Sequence, residues 1–333
     1  MSEFPYPGLR PFQRHETDIF FGREEATDQL IEKLGQTRFV AVVGPSGCGK
    51  SSLVRTGLLA GLEAGFLASA GVHWRIAELR PSNHPFAQLA EALLIDKAIG
   101  TEYLRPFTER TEAVAFLHAH LRRGSLSLAE ILQETALPAA TNLLLVVDQF
   151  EEIFRYYHQG AASEAAAFVA LLLTSSQLLV PQNKVYVVIT MRSDFIGDCA
   201  LFYDLPEAIN QGLFLTPRLN HEQLRDAIES PASVFSGEIE PVLVNRLLND
   251  AGNNSDQLPL LQHVLMRMWL LASAENSPQL ILTTQHYEAI GGLAEALSKH
   301  ADEAYAELDH AQQKIAEILF CNQIGRASCR ERV

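Results

Sequence analysis

Apolar positions follow two alternating rhythms along the chain. Short runs rich in β-branched residues alternate with stretches where apolar side chains return every three or four positions. The runs are Phe39–Val43, His73–Leu79, Leu143–Val147, Lys184–Thr190 and a brief Gly212–Leu215. Each predicts a strand, and Phe39–Val43 reads as one buried on both faces, as in a parallel sheet. Helical spacing is predicted from Glu24 to about Leu34, at Val54, Leu58 and Leu62, and over 85–96, 111–122, 126–136 and 161–179. Strands alternating with helices predict an α/β domain with a parallel sheet. Residues 4–15 carry three prolines and no period, and read as an extended lead-in. From Asn220 onward the pattern is all helix: 220–230, 241–251, 257–274, 285–300 and 301–322. Pro259 interrupts the third of these near its start, where proline is tolerated.

The strongest chemical signal sits between the first strand and the helix after it. Gly44-Pro45-Ser46-Gly47-Cys48-Gly49-Lys50-Ser51 matches G-x-x-x-x-G-K-[ST] at every fixed position, and Ser52 follows. Glycines let the backbone turn tightly and aim successive N–H groups at an anion. The helix N-terminus adds partial positive charge beneath the phosphates. Lys50 reaches the β- and γ-phosphates, and the Ser51 hydroxyl can join a Mg²⁺ shell.

A second signal closes the third strand: Asp148-Gln149-Phe150-Glu151-Glu152. A carboxylate at the C-terminal end of a parallel strand stands where such sheets bind ligands. Asp148 can touch the metal or accept a hydrogen bond from its water. Glu151 and Glu152 are both candidates for orienting the attacking water, Glu152 slightly favoured. Arg192 follows the fourth strand, where its planar fork can report a γ-phosphate; pairing with Asp194 is its alternative. Ahead of the loop, Ile19–Glu25 (IFFGREE) ends in Gly22-Arg23-Glu24, a segment that folds over the adenine in many P-loop ATPases. His118 and His120 lie two apart, so they point in different directions on a helix and read as solvated rather than as ligands.

Composition changes this picture little. The 333 residues suggest about two domains. The formal net charge of −14 argues against a general nucleic-acid or anionic-membrane binder. The cysteines, Cys48, Cys199, Cys321 and Cys329, show no paired or metal spacing, which fits a reducing cytoplasm. No signal-peptide pattern opens the chain, and no apolar run reaches the ~20 residues of a membrane span. The last ten residues, Ile324–Val333 (IGRASCRERV), break the helical pattern with Gly, Ser and Arg. They resemble read-through translation of a sequencing adapter, with the expectation that the natural chain continues past about residue 323.

Taken together, PYPGLRPF, FFGREE, VVGPSGCGKSSLVRTGLL, VVDQFEEIF, ITMRSDF, GLFLTPRL and LPLLQHVLMRMW resemble the STAND class of P-loop ATPases. The similarity is to the bacterial novel STAND group often fused to WD repeats. It implies an α/β P-loop NTPase fold of the ASCE type: a five-stranded parallel sheet over residues 1–218, a helical subdomain over 219–276, and the truncated start of a winged helix over 277–323. It also implies ATP or ADP with Mg²⁺ as cofactors, Gly22 and Arg23 by the adenine, Pro259 near the base, and Arg192 as sensor. The class is a slowly hydrolysing switch whose nucleotide state controls opening and self-association, with effector and sensor modules encoded downstream.

Two other readings share the same motifs. One is an AAA+-like remodelling or DNA-loading ATPase, against which stand the acidic balance and the lack of its second-region arginine signature. The other is a scaffold that binds nucleotide without cleaving it, against which stand Asp148, Glu151 and Glu152. A GTPase is disfavoured, since Asn183-Lys184-Val185-Tyr186 lacks the Asp that reads guanine. G-x-S-x-G and H-E-x-x-H are absent, so serine hydrolases and zincins have no support.

Overall fold

Strand β1 (Phe39–Gly44) is buried at all six positions, so it must lie inside a sheet covered on both faces. In the computed structural model it pairs in parallel with β4 (Val185–Arg192) on one side and β5 (Leu213–Leu215) on the other. Beyond β4 come β3 (Thr141–Val147) and β2 (His73–Leu79), giving the order β2-β3-β4-β1-β5. The structure describes residues 4–67, 70–71, 73–135, 137–138, 140–177, 184–252, 257–275 and 279–330. The predicted residues 136, 178 and 179 therefore lie outside the described set.

Alternation along the strands divides the core in two. Phe39, Ala41 and Val43 face one layer together with Leu143, Leu145, Val147, Val187 and Ile189. Val40, Val42, Leu144, Val146 and Val188 face the other. The second layer is covered by α1 (Glu24–Thr37) and by one helical run, α2 (Lys50–Ser52), π-helical turns at Leu53–Leu58 and α3 (Leu59–Glu63). The first layer receives α4 (Pro85–Leu93), α5 (Gly100–Tyr103), α6 (Arg110–Leu121), α7 (Ser127–Thr135), α8 (Glu152–Tyr156), α9 (Ala162–Gln177) and α10 (Leu205–Gly212). The fold is the expected α/β P-loop NTPase architecture, and every predicted strand is present.

The chain divides into two compact units, the first built on Pro11–Ala227 and the second on Phe4–Arg10 and most of the chain after Ile228. Four readings of the later chain are corrected. The region is not all helix: β6 (Gly237–Ile239) pairs in parallel with β7 (Leu280–Leu282). The first helix does not stop before Pro231, since α11 runs His221–Val234 with the proline inside. The next two helices are as expected, α12 (Pro241–Ala251) and α13 (Leu258–Ala274), with Pro259 in the first turn of the latter. The final two predicted helices are three: α14 (Thr284–Ala289), α15 (Gly292–Ala306) and α16 (His310–Arg330). Gly291 and Gly292 make the first break by taking positive φ, 83° and 62°. Asp309 and Gln312 make the second: each side chain accepts the other's main-chain N–H, at 3.0 and 2.9 Å, and opens a new helix. Helix α16 also continues through the tail to Arg330, where the pattern predicted a break. No described helix is long and apolar enough to cross a membrane.

Within the second unit Tyr6 anchors the lead-in, its hydroxyl donating to the Ile228 carbonyl at 2.6 Å and its ring meeting Trp269 edge-on. On α13, buried His263 stacks on His300 of α15 with ring centroids 4.9 Å apart. Burial, then the charges of His300 and Arg267, push its pKa below the ordinary 6.5. The unfolded chain therefore takes up this proton more readily than the native one. The neutral imidazole's contribution is complete above the unfolded value and is lost as pH falls below it. The melting temperature should drop between about pH 7.5 and pH 5.5, and His263→Gln should shrink that drop, as read by calorimetry at both pH values.

Candidate nucleotide site

The turn after β1 is shaped by glycines with no room for a side chain. A Cβ on Gly44 would stand 2.7 Å from Cys48 Sγ and 3.3 Å from Thr216 Cβ. Gly47 and Gly49 take φ of 74° and 91°, conformations that L side chains rarely adopt. Among the described residues, none accepts a hydrogen bond from the main-chain N–H of Ser46, Gly47, Cys48 or Gly49. A turn of unengaged donors at the start of a helical run is an anion cradle. Lys50 Nζ lies inside it, donating to the carbonyls of Gly44 at 2.9 Å and Pro45 at 2.6 Å.

Asp148 ties this loop to the neighbouring strands. Its carboxylate is 2% exposed. Oδ1 accepts from the Ser51 hydroxyl at 2.8 Å and from the Thr190 hydroxyl at 2.7 Å. Oδ2 faces Arg55 at 3.4 Å and Arg80 at 3.3 Å. Burial pushes the Asp148 pKa up, but the Thr190 and Ser51 hydroxyls and the two guanidinium groups outweigh it, leaving a net lowering. The ionised form is the native one.

The two glutamates after it go to different places. Gln149 takes a left-handed φ of 57°, and Phe150 N–H bonds the Thr190 carbonyl at 2.8 Å, so the chain turns sharply off β3. Glu151 is buried, one carboxylate oxygen has no partner among the described residues, and it feels the charges of Lys50 and Arg192. Burial holds its pKa above the ordinary carboxylate range, with main-chain N–H groups and those two charges offsetting only part of the rise. Glu152 turns away, its Oε2 accepting the Ser82 N–H at 2.8 Å. Arg192 ends β4, pairs with Asp194, and keeps a buried Nε without a partner among the described residues.

The segment ahead of the loop supports it from behind. Gly22 has φ of 79°, and a Cβ there would lie 2.3 Å from the Gln223 carbonyl oxygen. Arg23 is buried, donating to the Cys48 carbonyl at 2.9 Å and the Pro217 carbonyl at 2.6 Å. Its fork thus clamps the phosphate-loop backbone to the chain after β5. The Ser52 hydroxyl accepts the Phe12 N–H at 3.2 Å. Pro259 belongs to the second unit.

Four partners of Asp148 and its surroundings escape the sequence reading: Thr190, Arg55, Arg80 and Glu78, which pairs with Arg55. Arg80 alone had a visible cue, a cation directly after a strand. The expectation of two solvated histidines is corrected for His120, which is buried with Nε2 3.3 Å from Glu130. Among the described residues no cluster of three or more His, Cys, Asp or Glu could hold a metal by itself.

A phosphate cradle whose serine bonds a strand-tip aspartate 97 positions away is the arrangement of P-loop NTPases. The family model described as Novel STAND NTPase 1 matches residues 5–332. The chain belongs to that family. As a novel STAND NTPase it is a nucleotide-binding and nucleotide-hydrolysing protein of the P-loop class. No curated protein matches its sequence. Among solved structures it is similar to the Aeropyrum pernix ORC1 protein in complex with DNA, at 16% identity and TM-score 0.52 over 90% of this chain and 73% of that one. A Walker-type ATPase of Pyrococcus abyssi is similar at 14% identity and TM-score 0.52, covering 97% and 80%. The Aeropyrum pernix ORC2 protein in ADPNP–ADP complexes gives 12% identity and TM-score 0.50, covering 90% and 71%. At such identities these likenesses show the fold.

Thr190 is the hinge of this geometry, donating to Asp148 and accepting the Gln149 N–H at 3.0 Å. Thr190→Val keeps the shape and removes both bonds. It should cost about 2 kcal/mol in denaturant unfolding, because one partner is a buried charge, while Thr190→Ser should restore most of it.

Proposed function

We propose that this novel STAND NTPase is an ATP-driven switch: it binds ATP with Mg²⁺, hydrolyses it slowly, and uses the ADP or ATP state to control opening and self-association. The Ser51–Asp148 hydrogen bond carries the reading, since it joins the phosphate loop to the strand-tip carboxylate. The donor set fits the cofactor. A serine hydroxyl and an ionised carboxylate are hard oxygen ligands of the kind Mg²⁺ takes, and the N–H cradle matches phosphate oxygens. Mg²⁺ would supply charge neutralisation between the β- and γ-phosphates. Ser51 and Asp148 would hold it, directly or through water.

Of the two candidate bases, the geometry favours Glu151. It is the carboxylate that lies near Lys50 and Arg192 with a free, buried oxygen and a raised pKa, a set suited to taking a proton from water. Glu152 is occupied at Ser82. Arg192 would sense the γ-phosphate by giving up Asp194 for it, two arrangements of one side chain that nucleotide state can bias. Gly22 and Arg23 would act on the nucleotide through the loop they brace, and Pro259 would approach the base from the helical part. Downstream effector and sensor modules and a cytoplasmic location complete the reading.

Three variants separate the parts. Lys50→Ala should abolish retention of labelled ATP while leaving circular dichroism unchanged; retained affinity would contradict the site. Glu151→Gln should keep nucleotide affinity and reduce phosphate release at least ~100-fold, the scale of general-base catalysis. Glu152→Gln should leave phosphate release within a few-fold of the parent. Turnover that rises on adding DNA would instead favour the DNA-loading reading.

A further inference from the structure

The Asp148 carboxylate meets two guanidinium groups, and the two are held very differently. Arg55 sits on the helical run behind the phosphate loop, is 17% exposed and is gripped by Glu78. Arg80 follows β2 directly, is 50% exposed, and Asp148 is its ion-pair partner. It approaches Oδ2 with two nitrogens, Nε at 3.4 Å and Nη2 at 3.3 Å. These are long contacts beside the 2.7 and 2.8 Å hydroxyl bonds on Oδ1. A tight, desolvated Arg–carboxylate fork would be shorter.

We propose that Arg80 is a positioning residue that serves as a displaceable counter-ion on Asp148, holding its charge until a hydrated divalent cation takes that place. The inference rests on the reading of Asp148 as the carboxylate that steadies the cation. A carboxylate buried to 2% exposure needs positive charge nearby at all times. Arg55 supplies part of it and is itself held by Glu78. Arg80 can leave at little cost, since half of its side chain is already in water. When a dication arrives, the guanidinium and the metal repel each other at short range and compete for one oxygen. The next residues add a consequence. Ser82 takes a φ of 53° and gives its N–H to Glu152, so the turn 80–82 is pinned to the β3 tip at both ends. Releasing Arg80 loosens one of those pins, and cation binding is thereby reported to the β2 turn.

Mn²⁺ serves as the probe. Free Mn²⁺ is measured by electron paramagnetic resonance while it is titrated into the full chain holding a non-hydrolysable ATP analogue. Arg80→Gln should bind Mn²⁺ about three- to tenfold more tightly than the parent, the coupling expected of a competing, partly exposed ion pair. Arg80→Lys, which keeps the charge, should stay within twofold of the parent. Unchanged or weaker Mn²⁺ binding in a folded Arg80→Gln chain would overturn the proposal, as would weaker nucleotide binding, which would make Arg80 a phosphate ligand. Hydrogen exchange of the parent chain gives a second reading that needs no variant. Adding Mn²⁺ with the analogue should speed exchange in residues 80–84, and slower or unaltered exchange would overturn the proposal. A parent chain that binds neither probe would overturn the nucleotide site as well; one that binds both, with no effect at Arg80, would overturn only the role of Arg80.

Discussion

A buried carboxylate that must stay ionised is the constraint on which the first unit depends. Asp148 keeps its charge because two hydroxyls and two guanidinium groups reach it. Those groups come from the helical run after β1, from the tip of β4, and from the end of β2. The strand order β2-β3-β4-β1-β5 is what places them all around β3. Sheet topology and site geometry are thus one solution: exchanging two strands would leave an unpaired charge in the core as well as a dismantled site.

The phosphate loop obeys the complementary rule. Among the described residues the N–H groups of Ser46, Gly47, Cys48 and Gly49 have no acceptor, while the loop's carbonyls accept two bonds from Lys50 inside and one from Arg23 behind. The two cations differ in kind. Arg23 is a buried planar fork with both ends engaged, suited to bracing. Lys50 is a single ammonium on a flexible stem, and on the proposed reading it would exchange its two carbonyl oxygens for phosphate oxygens. The loop is therefore braced from behind by Arg23 and filled from inside by Lys50.

Strands β1, β3 and β4 were legible because burial on both faces leaves a continuous apolar signature. Strands β6 and β7 were not. Each is three residues long, Gly-Glu-Ile is not apolar throughout, and Gly237 pairs with Leu280 across a long stretch of chain. Gly237 is there for space, since a Cβ would lie 2.6 Å from the Trp269 ring, and that need appears only once the ring is placed. Within the site, the phosphate loop and Asp148 were legible because each carries a local pattern. Thr190 and Arg55 were not, because a single hydroxyl in a strand and a single arginine on a helix look ordinary until the fold brings them to Asp148. Choosing between Glu151 and Glu152 needs the left-handed turn at Gln149, a residue with no glycine-like cue.

Charge completes the argument. The chain carries a formal charge of −14, yet Arg23, Lys50, Arg55, Arg80 and Arg192 gather around the C-terminal ends of the strands. At physiological salt a surface charge is screened beyond about 8 Å, so the acidic exterior acts weakly on a ligand already inside the cleft. What an incoming polyphosphate meets there is set by these few cations and the N–H cradle. Three of the five, Arg55, Arg80 and Arg192, are already paired with acidic side chains, so the site stores its positive charge in neutralised form. A site built this way keeps the buried Asp148 carboxylate satisfied before any ligand arrives. On the proposed reading it would also respond to one, by exchanging an internal partner for a phosphate or a metal within an unchanged fold.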